Sequence, residues 1–326
     1  MSIKTLRTGG KAAMAAALAA IEKSPYDEGT ISLLDETWHS ARGHVLGLTG
    51  PPGVGKSTLI NNLIRLWRGQ GKTVGVIAVD PSSKRSGGAL LGDRTRLNTD
   101  PGDKGVFVRS MAAREKLGGL AALTVPAVSL MRALYDIVLV ETVGVGQSET
   151  DVSYVADSVI FCVQPGSGDS LQFMKAGIME VPDIIVVTKG DMGATAGRAQ
   201  ADVIGALGLS TVTSAKMSGQ PDKMKSGYDV NDQWSPPVLI VAATKGQGID
   251  ELADAVGQHW QWLNRTSRLT ESRQAQGQRW LVDACREEFG RHGLAIAGDK
   301  LKLPSGRAPF GEAVKLRQTI YQHIGD

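Results

Sequence analysis

Gly50-Pro51-Pro52-Gly53-Val54-Gly55-Lys56-Ser57 decides the fold. It fits the pattern G-x-x-x-x-G-K-[ST], and its flanks suit that pattern. The run Gly43 to Thr49 before it is short, apolar and β-prone, and Thr58 to Leu66 after it is helix-permissive, ending at Gly69 or Gly71. A glycine loop between a buried strand and a helix turns backbone N–H groups inward on phosphate oxygens, and the helix N-terminus adds a favourable field. Gly50, Pro51, Pro52, Gly53, Val54, Gly55 and Thr58 then belong to the cradle. Lys56 reaches the β- and γ-phosphates, and the Ser57 hydroxyl ligates Mg²⁺. The chain reads as a binder of a nucleoside triphosphate.

Outward from this loop the pattern alternates. Thr73 to Val79 is a second β-rich run ending in Asp80, followed by Asp136 to Glu141, Ser158 to Val163, Asp183 to Thr188 and Pro237 to Ala242. Helical stretches lie between most of them, among them Leu117 to Ala133 and Asp169 to Met179. Such alternation predicts an α/β fold, a doubly wound and mainly parallel sheet with ligands at the carboxyl ends of its strands. Residues 211–233 are polar and read as a loop. The expected organisation is an N-terminal helical extension over 1–42, a nucleotide-binding domain over 43–265 and a C-terminal helical extension over 266–326. The aromatic stripe of Trp260, Trp262 and Trp280 reads as packing against the main domain or a second subunit.

Composition narrows the class. The 326 residues are 42% hydrophobic and 21% charged, with a net charge of +3 that argues for neither nucleic acid nor a membrane surface. The two cysteines, Cys162 and Cys285, suggest no disulfide framework, so a reducing, cytoplasmic setting is the default. Lys4, Arg7 and Lys11 precede an alanine-rich stretch, which reads as an ordinary helix; the alternative is a transit segment over residues 1–21 and the mitochondrial matrix.

Four further segments sharpen the nucleotide reading. Thr188-Lys189-Gly190-Asp191 resembles the [N/T]-K-x-D base-reading element of GTPases. The Asp191 carboxylate can accept both the ring N–H and the exocyclic amine of guanine, which adenine does not offer in that arrangement, and paired hydrogen bonds penalise the wrong base. GTPases generally carry Asn at the position of Thr188, where the amide ties the base loop to the phosphate loop; the Thr188 hydroxyl is expected to do part of this. Ala242-Ala243-Thr244, ahead of Gly246-Gln247-Gly248, resembles the loop whose backbone contacts the guanine carbonyl. Glu141-Thr142-Val143-Gly144 occupies the place of the D-x-x-G switch, with Gly144 contacting the γ-phosphate and Glu141 holding the Mg²⁺ shell through water. Asp80 is a candidate for that shell too, and Asp93, in the glycine-rich segment up to Arg96, for the metal or the attacking water. Arg85, Arg94 and Arg96 are candidates for charge stabilisation. Lys56, Asp93, Glu141 and Gly144 thus form the candidate catalytic set.

These stretches, with Asp80-Pro-Ser-Ser, Leu91-Gly-Asp, Leu117-Gly-Gly-Leu-Ala, Glu141-Thr-Val-Gly-Val-Gly-Gln-Ser-Glu149 and Pro165-Gly-Ser-Gly-Asp169 through Lys175, resemble the methylmalonyl-CoA mutase-associated GTPases of the MeaB/ArgK type. The similarity covers about residues 40 to 265. It implies a homodimeric GTPase, using GTP/GDP and Mg²⁺, that gates cofactor loading of an adenosylcobalamin-dependent acyl-CoA mutase and protects or reactivates it. The rivals are a metal-insertion GTPase of the hydrogenase or urease kind and a small-molecule kinase, including the amino-acid transport label. The five histidines are scattered and no C-x-x-C occurs, which disfavours metal delivery.

Ras-like GTPases place a water-orienting Gln directly after the switch glycine, where this chain has Val145; Gln147 is nearby. Slow intrinsic hydrolysis is therefore expected of the isolated chain, and a fast single-turnover rate would contradict it.

Overall fold

The computed structural model describes residues 1–81, 97, 99–113, 123–142, 151–166, 181–218 and 233–325. Two helices, α1 (Ile3–Lys23) and α2 (Glu28–His39), precede β1 (His44–Thr49). The phosphate-loop motif follows and leads into α3 (Lys56–Gly69). Then come β2 (Val74–Pro81), β3 (Val106–Ala113), α4 (Thr124–Arg132), β4 (Ile137–Thr142), a 3₁₀ turn at Val152–Tyr154, β5 (Ser158–Val163) and β6 (Ile184–Val187). The chain ends through α5 (Ala194–Ser218), β7 (Val238–Ile240), α6 (Ile249–Arg265), α7 (Arg268–Ala297) and α8 (Pro309–Gly325). Among the described residues no helix is long and apolar enough to cross a membrane.

The strands form one seven-stranded sheet in the order β3-β2-β4-β1-β5-β6-β7, with every described pairing parallel. A parallel sheet must be covered on both faces, and side-chain alternation divides the core accordingly. Leu46, Leu48, Val76 and Leu139 pack with Leu59, Ile60 and Leu63 of α3 and Leu252 and Val256 of α6. Val45, Ile77, Val138 and Val140 point the other way, onto α4 and the two N-terminal helices, where Leu18, Ile21, Leu33 and Leu34 are buried. Helices α7 and α8 build a separate cluster around Leu281, Cys285, Leu316 and Ile320.

Strand β3 has no counterpart among the runs read from sequence. Arg109 and Ser110 interrupt its apolar pattern, but among the described residues it pairs with β2 alone, and Arg109 pairs with Glu22 of α1 at 2.6 Å. A second difference lies at residues 211–218, expected in a loop and found as the end of α5. The helix expected from Leu117 begins its described part at Thr124, and Asp169 to Met179 lie outside the described residues.

The amino ends of the strands are closed by buried polar groups. Asp157 accepts the Arg273 guanidinium through Nε at 2.8 Å and an Nη at 2.6 Å, and it also accepts the Val45 N–H at 2.9 Å. Arg273 reaches the Gly43 carbonyl as well, at 2.8 Å, so α7 is pinned to the starts of β1 and β5. Burial alone would raise the Asp157 carboxyl, but Arg273 outweighs it and holds it below the ordinary value. Beside this pair the Ser158 hydroxyl lies 2.6 Å from both His44 Nε2 and His259 Nδ1, while His259 Nε2 faces Asp183 at 3.4 Å. Burial pushes His44 down to about 3 and His259 to about 4, so both rings are neutral at pH 7. The order matches a hydrolytic serine relay, yet Ser158 is 0% exposed and its hydroxyl is sealed between two rings. It is a structural clamp.

Because the folded Asp157 carboxyl titrates below its unfolded value, its contribution is complete above the unfolded pKa and is lost as pH falls through the folded one. Arg273→Ala strands a buried carboxylate and is expected to cost about 3–5 kcal/mol at neutral pH, less in acid, measured by urea unfolding against pH.

Candidate nucleotide site

Strand β1 stops at Thr49, and the chain turns sharply beneath the end of β5. Gly50, Gly53 and Gly55 take φ values of 135°, 72° and 108°, in the region that favours glycine. At Gly50 a Cβ would also run into the carbonyl oxygen of Cys162. The Cys162 thiol is fully buried and pushed up to about 12 by burial, so it packs and neither ligates nor attacks.

Helix α3 starts at Lys56, directly behind Gly55. The Lys56 ammonium folds back over its own loop and donates to the Gly50 carbonyl at 2.7 Å and the Pro51 carbonyl at 3.1 Å. Ser57, one residue on, donates from Oγ to Glu141 Oε1 at 2.8 Å. Glu141 is buried near the end of β4, in register with Leu48 on β1, which sets its carboxylate beside the cradle. A hydroxyl and a carboxylate this close form a hard-oxygen pair of the kind that suits Mg²⁺. Asp80 follows in the backbone of β2, two residues beyond the Ala78 that pairs with Glu141. Asp93, Gly144, Val145, Gln147, Arg85, Arg94 and Arg96 lie outside the described residues.

The base-reading candidates gather at the next strand ends. Thr188 follows β6, and both its N–H and its hydroxyl donate to the Val163 carbonyl, at 2.9 and 3.1 Å. The expected tie from Thr188 to the phosphate loop is therefore replaced: this short side chain spends its hydrogen bond on the neighbouring strand. Lys189 sits at φ 52°, the one positive φ outside glycine among the described residues, and its ammonium donates to Gln164 Oε1 at 2.9 Å. That turn places Asp191 exposed on a 3₁₀ turn, with its carboxylate open to a ligand. Ala242, Ala243 and Thr244 lie alongside, in a loop closed by mutual backbone bonds between Ala242 and Gln247 at 3.0 and 3.2 Å. Gly190 N–H donates to the Val241 carbonyl at 3.0 Å and joins the two segments.

One residue was absent from the sequence reading. Asn62, on α3, donates from Nδ2 to the Ala243 carbonyl at 2.9 Å and so connects the phosphate helix to the base loop. Its one sequence signal is an Asn61-Asn62 pair amid the apolar rows of a helix, a place where asparagine is a poor former.

Cradle, buried carboxylate and base turn, all at the carboxyl ends of a doubly wound sheet, define a P-loop nucleoside triphosphatase. Known proteins place it further. The description "Methylmalonyl Co-A mutase-associated GTPase MeaB" matches residues 13–305, and the chain belongs to that family. GTPase ArgK of Escherichia coli is 37% identical, over 89% of this chain and 85% of that one. The mouse "Methylmalonic aciduria type A homolog, mitochondrial" is 36% identical over 76% of this chain and 56% of its own length. A crystal structure titled LAO/AO transport system kinase superposes with a TM-score of 0.59 at 26% identity, covering 99% of this chain and 96% of that one. The chain is accordingly a GTPase with a guanine-nucleotide site.

Gly50→Ala tests the cradle. Strain of roughly 1–3 kcal/mol must be relieved by moving the loop, so GDP affinity by calorimetry is expected to drop at least about tenfold. Affinity equal to the parent protein's would contradict the assignment.

Proposed function

We propose that this GTPase, working with Mg²⁺ and as a homodimer, gates cofactor loading of an adenosylcobalamin-dependent acyl-CoA mutase of the methylmalonyl-CoA type and protects or reactivates that enzyme, in the cytoplasm. The family match over residues 13–305, whose description names the mutase, carries this reading, with relatives whose names refer to methylmalonic aciduria in support.

The residues fit the chemistry. Water attacks the γ-phosphorus of GTP, the bond to the β–γ bridging oxygen breaks, and GDP and inorganic phosphate leave. Mg²⁺, where bound, neutralises charge on the β- and γ-oxygens; Ser57 would ligate it, with Glu141, Asp80 and Asp93 around its water shell. Lys56 exchanges its carbonyl partners for phosphate oxygens. Gly144 would sense the γ-phosphate, and Thr188, Lys189, Asp191 and the 242–244 loop would hold the base.

A route from the nucleotide to the C-terminal helices favours a signalling role over simple hydrolysis. In sequence, Glu141 stands just ahead of the segment that carries Gly144, and the turn that begins at Asp151 follows that segment. There α7 takes hold: Gln276 donates to the Ala156 carbonyl at 2.7 Å, and the Arg279 guanidinium stacks over Tyr154 at 3.3 Å. A change of switch conformation would pull on the 151–157 turn and hence on α7.

The test is co-purification with a cobalamin-dependent acyl-CoA mutase in the presence of a non-hydrolysable GTP analogue or of GDP. Retention that differs between the two states is expected. Equal absence in both, or transfer of phosphate to a small molecule in place of water, would overturn the proposal.

A further inference from the structure

We infer that Asn62 is a positioning residue for guanine-nucleotide binding: it sets the distance between the phosphate cradle and the loop that meets the base. This rests on the guanine-site reading of Asp191 and the 242–244 loop given above.

Thr188 spends its side-chain hydrogen bond within the sheet. In a GTPase with Asn at this position, that side chain would span from the base turn to the phosphate loop. Here the hydroxyl bonds the Val163 carbonyl at 3.1 Å, so it holds β6 to β5. The base side of the site still needs a register against the phosphate side, since one nucleotide must satisfy both ends at once. Asn62 supplies it from the opposite direction. Its amide nitrogen donates to two carbonyls, Thr58 within α3 at 2.9 Å and Ala243 in the base loop at 2.9 Å. Both acceptors are oxygens, so only the nitrogen end of the amide can face them, and the orientation is fixed by chemistry.

The first bond locks the side chain to the helix that begins at Lys56 and Ser57. The second fixes the Ala243 carbonyl, and with it the orientation of the peptide groups at 242–244. That loop is otherwise held by the Ala242–Gln247 bonds, by the 3₁₀ turn at Ala243–Lys245, where the Ala243 carbonyl also accepts the Gly246 N–H at 3.3 Å, and by the Gly190–Val241 bond. Of these bonds, the one from Asn62 alone ties it to α3. Displacing it would misdirect the backbone N–H groups that face the guanine carbonyl. The phosphate cradle is built from Gly50 to Ser57 and would be left as it stands. Asn62 should therefore govern how well the base is read, with little influence on the grip on phosphate alone.

Two variants are measured by calorimetry against Mg²⁺-GDP, Mg²⁺-ADP and Mg²⁺-tripolyphosphate, with urea unfolding as a check on folding. Asn62→Ala is expected to weaken GDP about five- to tenfold while changing tripolyphosphate by less than twofold. Asn62→Asp has the same shape but sets a carboxylate against two carbonyls, so it should weaken GDP further with tripolyphosphate again nearly constant. It also carries the test alone should the alanine variant unfold. Unchanged GDP affinity in the aspartate variant, or an equal loss for GDP and tripolyphosphate, overturns the role assigned to Asn62. A parent protein that binds GDP and ADP equally well would instead refute the guanine-site reading, and is told apart because it needs no substitution.

Discussion

Strand β1 has no free edge and no free face, and that confinement fixes the nucleotide site. It is paired with β4 on one side and β5 on the other, and all six of its residues are buried. The chain leaving it cannot spread sideways, so it must turn under the end of β5. The turn passes so close to the Cys162 carbonyl that only a residue without a Cβ fits at Gly50. Because β4 lies in register on the other side, Glu141 is delivered to Ser57 with no adjustable segment between them. Rigidity of the sheet thus becomes precision in the site.

The two ends of the sheet solve opposite problems. At the carboxyl ends, the Lys56 ammonium is held by two carbonyls of its own loop, Gly50 at 2.7 Å and Pro51 at 3.1 Å. At the amino ends, buried polar groups are paired among themselves: Asp157 with Arg273, and His44, Ser158 and His259 in a sealed chain. An unpaired buried charge costs several kcal/mol, roughly, which is why Asp157 engages α7 through two parallel bonds. That engagement brings α7 against the turn at 151–157.

Much of the architecture was legible because fully buried parallel strands are almost continuously apolar. His44–Thr49, Ile137–Thr142 and Ser158–Val163 stand out on composition alone. Strand β3 escaped because an edge strand needs to be apolar only where it meets the core; Phe107 and Met111 do so, while Arg109 pairs through an Nη with Glu22 far away in sequence. The end of α5 escaped because its residues are polar and weakly periodic, and such a pattern does not distinguish a solvated helix from a loop. Within the candidate site, the glycine turn and the helix start at Lys56 follow the sequence pattern, while the bond expected of the Thr188 hydroxyl does not. A hydroxyl bonds to whichever acceptor the fold brings near, and that acceptor belongs to a different strand.

Sequence by itself determined the glycine loop between β1 and α3, most of the alternation of strands and helices, and the turn that carries Asp191, because each is a contiguous pattern whose chemistry is local. Tertiary structure alone decided that Ser57 meets Glu141, that Asn62 holds Ala243, and that Arg273 neutralises Asp157. The physical reason is that each of these bonds joins side chains or backbone groups from separate elements, and only packing of the sheet and its helices fixes the few ångströms between them.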